Sequence, residues 1–303
     1  MKKLEETNAS EIAAEFLRAR RAAGSPAMGM VLTLVVVASD EEAEAAMDVA
    51  RAAARDHPAR ILGVVLGDGR GHAHVDAEVG TGAGHPGETA LIRLRGAVVK
   101  HAESVVLPLL LPDSPVAVWW ADQGPDDPAS DPLGRLATRR ITDLGTHASP
   151  RSKAGLRRFA HYTPGDTDLA WTRLTLWRAT LAAVLDQHSA RVTAVRVSAE
   201  RGHPSAGLLR AWLSHCLHLD VELLPTDGPA VTEVVLETAQ GPIRISRPDG
   251  KDATLSTPNR PERPVSLRIR EIHELISEEL RHLDADEIYE LTIRKVLELE
   301  QSP

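Results

Sequence analysis

Apolar and polar positions change period several times along the chain, and each change marks an element. Asn8 and Glu11 have capping-box spacing, Ile12, Phe16 and Leu17 supply an apolar stripe, and Arg18, Arg20 and Arg21 precede Gly24 and Pro26. That pattern predicts a first helix. The run "MVLTLVVV" is rich in β-branched residues and predicts a buried strand, after which Ser39 with Glu42 opens a second helix that His57-Pro58 stops. "RILGVVL" predicts another strand. "HAHVDAEV" and "TALIRLR" alternate with a period of two, as half-buried strands do, and a helix from about Gly96 leads into "PVAVWW". The resulting order, α-β-α-β-β-β-α-β, predicts a mixed sheet with helices packed on it rather than a strict nucleotide-binding repeat.

From Ala121 to Pro164 the composition shifts to Asp, Pro, Gly and Arg, with a short helical piece at "PLGRLA" and a strand in "RRITDL". Asp166 or Thr167 then stands where it would cap a long helix, "DLAWTRLTLWRATLAAVLDQ", whose Ala170, Leu174, Trp177, Leu181 and Leu185 share a face. "RVTAVRVS" predicts a strand and "SAGLLRAWLSHCLHL" a helix. "DVELL", "TEVVLET", "PIRISRP" and "VSLRIR" predict strands, and two helices near 271–283 and 286–300 close the chain. The expected fold class is α/β: two mixed-sheet α/β domains with helices packed on the sheets and a helical C-terminus. Residues 1–128 form the first domain, 129–165 an interdomain segment, and 166–303 the second.

Composition agrees with a packed interior, since 43% of the 303 residues are hydrophobic and 26% charged. No apolar run is long enough for a membrane span, and Met1 to Arg21 lacks the apolar core of a signal peptide, so a cytoplasmic location is expected. The single cysteine, Cys216, excludes an intramolecular disulfide. A net charge of −8 argues against nucleic acid as a partner. Charge is uneven, however: Arg135 to Arg158 holds seven Lys/Arg and one acid, whereas Glu271 to Pro303 holds ten acids and three basic residues. Such segments are either solvated faces or complementary docking surfaces for a partner or a phosphate-bearing ligand.

Motifs for chemistry are sparse. "GDGRG" at Gly67 and "GTGAGHPGE" both lead into strands rather than helices, so they read as turns rather than phosphate cradles. His72 and His74 would share a strand face, and His215 and His218 a helix face beside Cys216, yet neither pair has a third ligand at a diagnostic spacing. No Gly-x-Ser-x-Gly, His-Glu-x-x-His or Cys-x-x-Cys is present. The tandem tryptophans are more informative. Val116, Val118 and Trp120 share one face of their strand and Ala117 with Trp119 the other, so the strand should be central. Its far end opens into a loop, where α/β sheets favour ligand and partner surfaces. Both tryptophans in the core, or one in the core and one at a rim, remain alternatives, and strand alternation favours the split.

"LPDSPVAVWWADQGP", "DPLGRLATRRITD" and "PGDTDLAWTRLTLWRATLAAVLDQ" resemble the glucose-6-phosphate dehydrogenase assembly protein family, OpcA. "NASEIAAEF", "GMVLTLVV", "HPARILGVV", "GAVVKHAESVVLPLLLPD" and "EELRHLDADEIYEL" extend that resemblance, in order, over almost the whole chain. It implies a non-enzymatic cytoplasmic protein that helps assemble or activate glucose-6-phosphate dehydrogenase. It also implies no catalytic residue, and neither a metal nor a cofactor is expected. Physical reasoning places the expected partner contacts at Trp119, Trp120, Asp122, Arg135, Arg139, Arg140, Asp166, Asp168, Trp171 and Arg173, since Trp and Arg combine large area with directed polar groups. The competing expectation is a sugar-phosphate-binding enzyme built on the basic segment 135–158.

Overall fold

In the computed structural model, which describes residues 1–22, 29–81, 87–147, 153–188 and 190–301, Asn8 caps the first helix. Its Oδ1 accepts from the amides of Ser10 and Glu11 at 3.0 and 3.1 Å. The Glu11 carboxylate accepts from Thr7 Oγ1 at 2.8 Å. Removing the cap in Asn8→Ala should cost about 1 kcal/mol, measured as a lower urea midpoint at unchanged slope.

The chain begins with β1 (Lys2–Leu4), α1 (Ala9–Ala22), β2 (Leu32–Ala38), α2 (Ala43–Ala53), β3 (Ala59–Leu66), β4 (His74–Thr81), β5 (Glu88–Arg95), α3 (Ala102–Val106) and β6 (Val116–Trp120). Next come β7 (Arg139–Thr142), α4 (Leu144–His147), α5 (Lys153–Ala160), β8 (Asp166–Asp168), α6 (Leu169–Thr172) and α7 (Thr175–Gln187). The remainder is β9 (Val192–Glu200), α8 (Pro204–Leu217), β10 (Val221–Thr226), β11 (Val231–Thr238), β12 (Ile243–Ser246), β13 (Asp252–Ser256), β14 (Arg263–Ser266), α9 (Ile272–Arg281) and α10 (Glu287–Gln301). The fold is α/β, with two mixed sheets, helices packed on them, and a helical C-terminus.

Two compact units share the chain by interleaving. The first takes Met1–Asp143, Thr163–Thr167 and Ile272–Ala285; the second takes Leu144–Tyr162, Asp168–Glu271 and Asp286–Pro303. The expected interdomain segment is therefore divided, because β7 and β8 extend the first sheet while α4 and α5 belong to the second unit.

The first unit's sheet has the order β1-β4-β5-β3-β2-β6-β7-β8. From β5 to β7 its strands are parallel, and β4 and β1 add an antiparallel edge. All seven residues of β2 are buried, as a central strand covered on both faces requires. Gly63 of β3 admits α2 at close range, since a Cβ there would stand 2.6 Å from Met47 Sδ. The helix expected from Gly96 is two 3₁₀ segments flanking the five-residue α3, and Pro108, which has no amide hydrogen to continue the α-helical bonding, lies in the second of them.

The second unit's sheet has the order β10-β9-β11-β12-β13-β14, parallel only between β9 and β10. Helices α7, α8 and α10 bury Trp177, Leu181, Leu208, Leu209 and Ile293 in its core. The single long helix expected after Asp166 is instead β8 followed by α6 and α7. Asp168 is the cap, its Oδ1 accepting from the Ala170 amide at 2.9 Å. Arg270 donates to the Thr172 carbonyl where α6 ends, which satisfies a group that a continuing helix would have bonded itself.

Candidate functional site

In the first unit, β2 connects through α2 to β3 on one side while β6 lies on its other side. The crevice beyond the C-terminal ends of β2 and β6 is thus where an open α/β sheet takes a ligand. Here the segments that follow the two strands are tied together. Asp122 follows β6 and its Oδ2 accepts from the Ser39 amide at 2.8 Å. Asp40, Glu41, Glu42 and Glu44 crowd the start of α2. Acids suit a helix N-terminus, but together they oppose a bound phosphate.

The two tryptophans do not divide between core and rim: each is only 3% exposed. Val116, Val118 and Trp120 pack with Ile12, Phe16, Leu62 and Leu133. Strand alternation sends Trp119 to the opposite face, where its indole Nε1 has no hydrogen-bond partner among the described residues. The loop of acids, Pro and Gly that follows folds back over Trp120. A Cβ at Gly134 would come within 3.2 Å of Trp120 Cη2 and 1.8 Å of the Pro128 carbonyl oxygen.

The arginines of β7 are also interior. Arg139 is 3% exposed, donates Nε and Nη2 to Glu279 of α9, and donates Nη1 to the Asp284 carbonyl at 2.9 Å. Arg140 pairs with Asp166 and donates to the Ala137 and Pro164 carbonyls at 2.9 and 2.7 Å. Burial pushes the Asp166 carboxyl above its ordinary pKa, opposed by the Arg140 guanidinium and the Thr163 amide. The segments expected to present opposite fields outward thus meet in a buried pair, Arg139 with Glu279. Arg158 also lies 3.5 Å from Asp168. Residues 148–152 of the basic segment lie outside the described residues, as do 82–86 of the Gly-rich stretch.

In the second unit, Asp168 is fully buried and accepts from the Leu144 and Ala170 amides. Trp171, 1% exposed, donates Nε1 to Asp286 at 2.7 Å, and the Arg178 guanidinium lies 3.7 Å over its ring. Asp286 also accepts from the Tyr289 amide, so one carboxylate caps α10 and fixes Trp171. Three expected contact residues keep some surface: Arg135 is exposed, and Asp122 and Arg173 are half-buried. The partners Glu279 and Asp286 were absent from the expected set. They stand more than a hundred positions from Arg139 and Trp171, so no local spacing signals them.

His72 falls before β4, while His74 meets Asp76 at 2.9 Å. His218 ends α8 in the left-handed conformation. Among the described residues no group of three His, Cys, Asp or Glu side chains could hold a metal ion. No described helix is long and apolar enough to cross a membrane.

The chain matches the family described as glucose-6-phosphate dehydrogenase subunit N-terminal domain over residues 50–161, and its C-terminal domain over residues 164–293. It belongs to the OpcA family. The two OpcA domain matches meet where the chain re-enters the first unit's sheet at Thr163–Thr167. No curated protein matches the chain. Among solved structures, an oxidoreductase from Sinorhizobium meliloti is similar at 12% identity and a TM-score of 0.48, over 89% of this chain and 95% of its own.

Proposed function

We propose that this OpcA-family chain is a non-enzymatic assembly factor or allosteric activator of glucose-6-phosphate dehydrogenase, acting by direct binding in the oxidative pentose phosphate pathway. The match to both domains of a family named for that dehydrogenase carries the reading. The geometry supports it in two ways. At the ends of β2 and β6 Asp122 is bonded to the Ser39 amide beside several acids, and Arg139, Arg140, Asp166 and Asp168 are engaged in internal bonds. Contact with the dehydrogenase then falls to Asp122, Arg135 and Arg173, while Trp119, Trp120 and Trp171 shape the surface from beneath.

The test assays the purified dehydrogenase with and without this chain while association is followed in parallel. Activity should rise with complex formation, and the isolated chain should not turn over glucose 6-phosphate. Turnover that tracks substitutions in this chain, or no association at all, would reject the proposal. Arg135→Ala should slow association and weaken its salt dependence at a cost of about 0 to 1 kcal/mol, the range for an exposed charge. Identical association rates for both proteins across ionic strength would remove Arg135 from the contact.

A further inference from the structure

Arg247 follows β12 in the second unit and is only 4% exposed. Its Nη1 and Nη2 donate to the carbonyls of Leu267 and Val231, which accounts for part of the guanidinium. Its Nε is buried without a partner. No carboxylate pairs with it among the described residues. Asp249 acts on it from a distance but gives its own Oδ1 to the Lys251 and Asp252 amides, both at 2.9 Å. A buried cation satisfied only by neutral carbonyls is costly unless a counter-ion arrives. Burial accordingly holds the Arg247 pKa below the ordinary arginine value.

Arg247 lines a cavity of about 180 Å³ that lies wholly within this unit. That is well above the ~30 Å³ one water occupies in the liquid. Arg173, Arg268 and Arg270, each with bonds of its own, line the same cavity, and the one carboxylate among its described lining residues, Glu200, accepts at Oε2 from the Ala230 amide at 3.1 Å. Several guanidinium forks around one space match the oxygens of a tetrahedral anion better than those of one carboxylate. The ring of Trp177, 5.4 Å from the Arg247 guanidinium, supplies an apolar wall for a carbon body.

We propose that this cavity binds a small phosphomonoester, with Arg247 as its buried counter-ion and Arg268 at its mouth. The site uses none of the arginines in segment 135–158 and is measured on this chain alone, so it stands or falls independently of the dehydrogenase. The experiment titrates the full chain with glycerol 3-phosphate and inorganic phosphate by calorimetry, at ionic strength matched with chloride, and with acetate in parallel. Saturable binding of both phosphates and a raised melting temperature are expected, with acetate far weaker.

Arg268 is exposed, so Arg268→Gln should fold normally. It should weaken phosphate binding by about tenfold, the loss of one charge-assisted contact. Arg247→Lys keeps the charge but loses the fork, and should weaken binding at least as much. If that variant does not fold, Arg173→Gln takes its place with the same expectation. Absence of saturable binding at millimolar phosphate, acetate binding as tight as phosphate, or unchanged affinity in folded variants would each overturn the assignment.

Discussion

Trp120→Ala will lower the stability of the chain by about 3 to 5 kcal/mol, as the loss of a large buried ring does. The ring is 3% exposed, packs with residues of α1 and β3, and is covered by Leu133 and Gly134 from the segment that follows it. Deleting it removes the floor on which that segment rests, so the cavity cannot close by a simple side-chain shift. Trp119 gives a control. Trp119→Ala should cost a similar amount, whereas Trp119→Phe should cost much less, since it discards a buried indole N–H that has no acceptor. Urea unfolding of the three variants separates these outcomes. A loss under about 1 kcal/mol for Trp120→Ala would mean that the ring is not core. Under conditions where each variant remains folded, association with the dehydrogenase shows whether the surface above the ring is part of the contact.

Arg139→Ala should be comparably damaging for an electrostatic reason. It takes from Glu279, itself 6% exposed, the guanidinium bonded to it, and breaking a buried pair from one side costs about 3 to 5 kcal/mol. Replacing both partners, as in Arg139→Met with Glu279→Leu, should recover most of that loss because neither charge is left to desolvate. The double-mutant cycle is the measurement. Additive losses in the two single variants and the double would show that the residues act separately, and the pair would then not be what holds α9 to the first unit.

Several strands and helices were legible where an apolar run or a capping residue was local, although Ser39 does not cap α2, whose N-cap is Glu42. β2 reads directly from "LTLVVV", and Asn8 accepts the amides that its spacing promised. β13 escaped because Ala253 and Leu255 alternate over too few residues to stand out from the turns beside them. The cap of α6 falls one or two residues beyond the expected Asp166 or Thr167, since Asp166, Thr167 and Asp168 all stand before the apolar stripe. Only the bond from Ala170 distinguishes Asp168. The candidate contacts were harder. Arg139 and Arg140 look like surface charge in a basic segment, and nothing nearby shows that Glu279 and Asp166 wait for them. Arg247 gave no signal either, because that it has no paired acid among the described residues is a property of three-dimensional neighbours alone.

The interleaving of the two units also sets an order of events during synthesis. Arg139 and Glu279 are 140 positions apart, so at roughly 5 to 20 residues per second the arginine leaves the ribosome about 7 to 28 s before its counter-ion exists. Through that interval the first unit has its parallel strands but lacks α9, and β7 carries a cation suited to an interior that has not closed. The unit that begins the chain is therefore among the last parts to be completed. A chain cut before Ile272 would strand that unit at the same stage, open and in need of shelter.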